Sequence, residues 1–166
     1  PVVSSAASDV YKRQNLFMLL KNERDTKLFA RKLVKFSKGN NIVICLNGNL
    51  GSGKTTFSRY FIQEYLKDAK IKEIPSPTFT LLQIYEHKNI KINHFDFYRL
   101  NSAAELVELN FMESTFDDAC LIEWSDKFKE ILPTDRIEIL FKILKNNTRN
   151  VGIKKFGRFK NLKIDG

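Results

Sequence analysis

Apolar positions along the chain follow two different periods, and the switches between them mark its elements. Leu16 to Leu20 is an apolar run of strand length. From Asn22 to Lys38, Leu28, Phe29, Leu33, Val34 and Phe36 recur at helical spacing until Gly39 stops the segment. Asn41 to Leu46 reads as a strand buried on both faces, followed by a glycine-rich loop and the amphipathic segment Thr55 to Leu66. Pro75 and Pro77 break the chain, and Phe79 to Tyr85 and Ile90 to Phe95 then read as two strands of a hairpin across the polar turn Glu86 to Asn89. Ser102 and Glu105 make a capping box for a helix reaching about Leu109, and Ala119 to Trp124 is another buried strand. Arg136 to Leu144 and Asn150 to Phe156 complete the set around an Asn146-Asn147 turn. Strands alternating first with helices and then with hairpins predict an α/β layer fold on a mixed sheet.

Composition narrows this to one domain. With 166 residues, 43% hydrophobic and 28% charged, the chain can bury a substantial core, and two globular domains are nearly excluded. No apolar stretch approaches the roughly 20 residues of a membrane span. Twenty-eight basic against 19 acidic residues leave a net charge of +9, which favours polyanionic partners without choosing among them. Cys45 and Cys120 sit inside apolar runs with no metal-ligand spacing and read as small core residues. A reducing cytosol suits them, and with no apolar segment behind a basic flank at the start, the expected location is cytoplasmic. Pro1 to Gln14 is small, polar and aperiodic. It reads as a non-native scar, with a disordered native tail as the alternative, and leaves 15–166 as the folded domain.

The chemistry centres on Gly48-Asn49-Leu50-Gly51-Ser52-Gly53-Lys54-Thr55, which meets G-x-x-x-x-G-K-[ST] at every fixed position. Glycines let backbone N–H groups turn inward around phosphate oxygens, and the following helix adds its positive N-terminal end. Lys54 reaches for the β- and γ-phosphates, and the Thr55 hydroxyl stands one residue on to ligate Mg²⁺. The loop follows a predicted strand and opens a predicted helix, as the motif requires.

A phosphate loop does not name the reaction. The guanine-reading Asn/Thr-Lys-x-Asp motif is not made by Ser125-Asp126-Lys127, so GTP is disfavoured. A small-molecule kinase wants clustered arginines. Arg59, Arg99, Arg136, Arg149 and Arg158 are scattered in sequence, though folding could gather them, so a kinase stays as the alternative. Glu123, directly after an apolar strand, is the candidate second Mg²⁺ group, against the alternative of a solvent-facing strand end. Asp96 is a candidate for orienting a metal-bound or catalytic water, against the alternative of a surface aspartate on a hairpin strand; alternation aims Phe95 and Phe97 to one face and His94, Asp96 and Tyr98 to the other. His94 reads as a hydrogen-bonded structural histidine. Thr78, in the rigid Ser76-Pro77-Thr78-Phe79 loop, is either a γ-phosphate sensor or the first residue of a strand.

Taken together these residues resemble the TsaE (YjeE) family of tRNA threonylcarbamoyladenosine biosynthesis ATPases. The likeness runs in order from Thr26 through Leu46 to Phe57, Ser76 to Leu81, His94 to Leu100, Glu105-Leu106 and Leu121 to Trp124, and on to Leu132-Pro133. It implies a P-loop NTPase-like three-layer α/β fold with a mixed, partly antiparallel central sheet. It implies ATP and Mg²⁺ as cofactors and slow hydrolysis that serves threonylcarbamoyl transfer to adenosine 37 of tRNA. The implied partner is the TsaD and TsaB complex, with tRNA touched indirectly or weakly and no membrane. Carried onto this chain, Gly48, Asn49, Leu50, Gly51, Ser52, Gly53, Lys54, Thr55 and Thr56 hold the phosphates and Thr55 and Glu123 the metal. Asp96, Glu123 and Lys54 assist hydrolysis, Thr26 lies near the nucleotide, Thr78 is a switch element, and Trp124 reports on the site. Asn47, Asn49 and Phe97 depart from the family's common residues at positions that tolerate it. The late cations Lys154, Lys155, Arg158, Lys160 and Lys163 are either a basic edge or a solvated tail.

Overall fold

In the computed structural model the residues described are 15–37, 41–67, 71 and 73–164; Pro1–Gln14, Lys38 and Gly39 lie outside them. Seven strands form one sheet in the order β1-β7-β6-β2-β5-β4-β3. In chain order the elements are β1 (Asn15–Leu20), α1 (Glu23–Ser37), β2 (Val43–Asn47), α2 (Lys54–Leu66), β3 (Leu82–His87) and β4 (Ile90–Asp96). There follow α3 (Glu105–Glu108), α4 (Phe111–Asp117), β5 (Ala119–Glu123), a 3₁₀ segment Ser125–Ile131, β6 (Ile137–Ile143) and β7 (Arg149–Lys155). β2 pairs in parallel with β5 and β6, and β4 with β5, while β1–β7, β6–β7 and β3–β4 are antiparallel. The mixed, partly antiparallel sheet predicted from the chain is the one observed.

The two central strands β2 and β5 are buried at every position, which is why they read as continuous apolar runs. Their alternate residues feed two cores. Ile44, Leu46 and Leu121 pack with Phe29 and Leu33 of α1 and Phe57 and Phe61 of α2. Val43, Cys45, Cys120 and Ile122 pack with Phe95, Phe97, Leu106, Phe111 and Phe128 on the opposite face. Both cysteines are therefore free, buried core residues. Phe57 joins the first core together, lying 5.3 Å from Phe29 and 5.9 Å from Phe141 between ring centroids. No helix among the described residues is long and apolar enough to cross a membrane.

Local chemistry shifts several predicted boundaries. β3 starts at Leu82 and not at Phe79, because Thr78–Thr80 form a turn and Leu81 takes a left-handed φ of 65°. The hairpin turn is tighter than Glu86–Asn89: His87 pairs with Ile90, and Lys88 and Asn89 alone turn, with φ of 49° and 63°. Half of the Ser102/Glu105 capping box forms, Glu105 accepting from the Asn101 and Ser102 amides at 2.7 and 2.9 Å, and the helix it opens is one turn long. α4 carries no apolar stripe to announce it; Phe111 is buried, but Met112 and Phe116 face outward. α1 is capped by Asn22, whose side chain accepts from the Asp25 amide at 3.0 Å.

Candidate functional site

β2 ends at Asn47, and the chain turns through Gly48, Gly51 and Gly53 with φ of 138°, 73° and 115° before α2 begins at Lys54. These are conformations that side chains resist. At Gly48 space is also closed: a Cβ there would overlap the Phe141 carbonyl oxygen and stand 2.7 Å from Ser52 Oγ. Asn47 is held beneath the loop, its Oδ1 accepting from Ser125 Oγ and the Asp126 amide, both at 2.9 Å.

The loop borders a cavity of about 580 Å³. Leu50 to Thr56 line it, joined by Thr26, Ser76, Thr78, Asp96, Glu123 and Trp124 from four other segments. Gly48 and Asn49 lie behind this wall and turn their carbonyls to Lys54, which donates to them at 2.6 and 3.1 Å. The Lys54 ammonium also sits 4.0 Å from the centroid of the Trp124 ring. Burial pushes the Lys54 amine below its ordinary value, partly opposed by the charges of Glu123, Asp96 and Asp126.

Glu123, at the end of β5, is buried and not solvent-facing. Its Oε2 accepts from Thr55 Oγ1 at 2.9 Å. Its Oε1 accepts from Ser58 Oγ at 3.3 Å and lies 2.8 Å from His94 Nε2. Asp96, two residues beyond His94 on β4, accepts on Oδ2 from Thr78 at 2.8 Å and Ser76 at 3.2 Å, and on Oδ1 from the Tyr98 amide at 2.8 Å. The parallel β4–β5 register sets Asp96 opposite Glu123, so both carboxylates reach the same end of the sheet. Among the described residues no cluster of three His, Cys, Asp or Glu groups forms a closed metal cage. One carboxylate beside one hydroxyl is instead the hard-oxygen pair suited to a cation that keeps water and phosphate as its other ligands.

Of the site residues the resemblance implies, Thr26, Leu50 to Thr56, Thr78, Asp96, Glu123 and Trp124 border this cavity, and Gly48 and Asn49 hold Lys54. Sequence reading weighs Arg149 only among the scattered arginines and does not place it at the phosphate loop. From the start of β7 it donates to the Ser52 carbonyl at 3.3 Å and the Gly51 carbonyl at 3.4 Å, and it lines the cavity with Asn146 and Asn147. No local pattern marks it, since its position depends on how β7 pairs. Sequence reading also misses Ser58, which its place one helical turn past Thr55 could have marked. The other four arginines weighed for a kinase do not line the cavity: Arg59 pairs with Glu23 at its rim, Arg99 lies over the Phe79 ring, Arg136 pairs with Glu138 and Arg158 with Asp135. Of the late cations, Lys155 donates to the Leu162 carbonyl at 2.7 Å, while Lys154, Lys160 and Lys163 are exposed.

The family model "Threonylcarbamoyl adenosine biosynthesis protein TsaE" matches residues 20–151. The chain is 46% identical over 136 residues to the tRNA threonylcarbamoyladenosine biosynthesis protein TsaE of Rickettsia typhi, covering 82% of this chain and 92% of that one. It is 34% identical to the Bacillus subtilis protein of that name over 131 residues, 78% of this chain and 79% of that one. The crystal structure of Bacillus subtilis YdiB superposes with a TM-score of 0.70 at 27% identity, covering 89% of this chain and 90% of the other. A phosphate loop, its facing carboxylates and a sheet of this order thus coincide with a match over most of the length, and the chain belongs to the TsaE family.

Proposed function

We propose that this chain binds ATP with Mg²⁺ and hydrolyses it slowly, as an accessory to threonylcarbamoylation of tRNA by a TsaD and TsaB complex. The observation that carries the reading is the 2.9 Å hydrogen bond from Thr55 to Glu123, made beside Lys54 at the wall of the cavity. The residues present fit the nucleotide and the ion. Among the described residues Ser52 Oγ is buried without a hydrogen-bond partner, and the Lys54 ammonium meets the Gly48 and Asn49 carbonyls and the Trp124 ring.

Gly48 to Thr56 would wrap the phosphates, with Lys54 moving its ammonium from the Gly48 and Asn49 carbonyls to phosphate oxygens. Thr55 and Glu123 would hold Mg²⁺, which supplies charge neutralisation at the β- and γ-phosphates when bound. Asp96 would orient the attacking water, and Thr78, already bonded to Asp96, would sense the γ-phosphate. Thr26 would border the nucleotide. Hydrolysis would reset the partner complex between turnovers, with tRNA contacted indirectly or weakly. The kinase alternative gains little, since only Arg149 of the five arginines weighed for it lines the cavity.

Reconstituted TsaD and TsaB, assayed for tRNA threonylcarbamoylation over multiple turnovers, should depend on this protein and on ATP. Lys54→Ala should abolish the effect. Turnover indifferent to both would overturn the reading, and an acceptor phosphorylated from labelled ATP would favour a kinase.

A further inference from the structure

His94 sits inside β4 with its side chain fully buried, on the face that also carries Asp96. Its Nε2 stands 2.8 Å from Glu123 Oε1. With Glu123 Oε1 accepting, Nε2 is the donor of this pair. Nδ1 is buried with no hydrogen-bond partner among the described residues. The fold thus leaves Nδ1 unpartnered while keeping the other nitrogen on Glu123, so the ring's one hydrogen bond among the described residues is spent on that carboxylate.

The carboxylate is consequently divided. His94 and Ser58 occupy Oε1 from inside the sheet–helix interface, and Oε2 is left toward Thr55. In the β4–β5 register His94 stands opposite Leu121 and reaches Glu123 on the diagonal, so a two-residue step along one strand delivers both the imidazole and the Asp96 carboxylate. From this geometry we infer that His94 is a positioning residue, fixing the rotation of the Glu123 carboxylate so that one oxygen is presented with the Thr55 hydroxyl to a divalent cation. The inference rests on the Mg²⁺–ATP reading above. Groups that orient a ligating side chain typically govern metal affinity by about 10–100-fold.

The test compares ADP affinity in EDTA and across a Mg²⁺ titration for the parent, Glu123→Ala, His94→Leu and His94→Gln proteins. In His94→Leu the apparent Mg²⁺ affinity of the ADP complex should fall about 10–100-fold, with ADP affinity in EDTA unchanged. His94→Gln, whose amide N–H can take the place of Nε2–H, should recover most of the loss. Parent-like Mg²⁺ affinity in His94→Leu, an equal loss in EDTA, or a glutamine no better than leucine would each overturn the inference. Should His94→Leu fail to fold, His94→Asn replaces it: too short to reach Oε1, it should bind Mg²⁺ more weakly than His94→Gln, and equality would overturn the inference. If the parent shows no Mg²⁺ effect, the Mg²⁺–ATP reading falls and takes this with it. If Glu123→Ala loses the effect and His94→Leu keeps it, this inference falls alone.

Discussion

The Lys54 ammonium rests 4.0 Å from the centre of the Trp124 ring while donating to the carbonyls of Gly48 and Asn49. Trp124 is the chain's single tryptophan, so its emission reports this contact without interference. Adding ATP or ADP should change that emission as Lys54 turns to phosphate, and Lys54→Ala should show a smaller change. An emission spectrum blind to saturating nucleotide would contradict the described coupling.

Glu123 collects three side-chain groups, from Thr55, Ser58 and His94. Glu123→Ala would leave buried His94 and half-buried Thr55 without this acceptor, while Ser58 keeps the Lys54 carbonyl at 3.0 Å, and should cost about 1–3 kcal/mol of stability, read by urea denaturation. Glu123→Gln keeps the shape and part of the hydrogen bonding, and should unfold closer to the parent while losing Mg²⁺-dependent phosphate release. A glutamine variant hydrolysing ATP at the parental rate would remove Glu123 from the metal site.

Asp96 and Thr78 meet at 2.8 Å, so the loop after Pro77 is tied to the end of β4. Asp96→Asn should lower the rate of ATP hydrolysis by about 10²-fold or more if Asp96 orients or deprotonates water. Thr78→Val should lower the rate of hydrolysis with little effect on ADP affinity, because the hydroxyl is assigned to the γ-phosphate. Equal weakening of ADP and ATP binding would instead indicate a structural role for the loop.

Gly48 and Gly51 separate two kinds of glycine requirement. Gly51 has φ of 73°, but beyond its chain neighbours no atom of the described residues comes within 4 Å of an added Cβ, so Gly51→Ala should cost about 1–2 kcal/mol, from backbone strain alone. Gly48→Ala adds the collision with the Phe141 carbonyl and Ser52, and should unfold at distinctly lower denaturant with nucleotide binding lost. Equal midpoints for the two variants would show that β6 yields at Phe141.

Burial pushes the Cys45 thiol up to about 12 and raises that of Cys120 as well. Both should resist maleimide in the native state and react on unfolding. A raised pKa favours the neutral thiol in the fold, so this contribution to stability is fully present below the unfolded value of 9.0 and is lost as pH rises above it, toward about 12 for Cys45. Tyr65 and Tyr85, also raised by burial, act in the same direction from 10.0. Stability measured by urea should therefore decline above pH 9, and more gently in Cys45→Ala.

Much of the site was legible because its signals are local. The fixed positions of the phosphate loop, the fully apolar strands on either side of it, and the alternation of β4 that separates Phe95 and Phe97 from His94 and Asp96 all depend on backbone periods of a few residues. Short elements were less readable. α4 has one buried residue to mark it, and the start of β3 gave way to a turn at Thr78–Thr80 that prolines and propensity did not locate.

Sequence by itself determined the chemistry on offer: a phosphate loop, two carboxylates at strand ends, and which face of each strand its residues occupy, since these follow from covalent spacing. Tertiary structure alone decided the encounters. Thr55 meets Glu123 across 68 positions, His94 reaches the same carboxylate across 29, and Arg149 comes to Ser52 across 97. These depend on the strand order and register of the sheet, which set non-local neighbours through pairing and packing over the whole domain and leave no trace in any short stretch of chain.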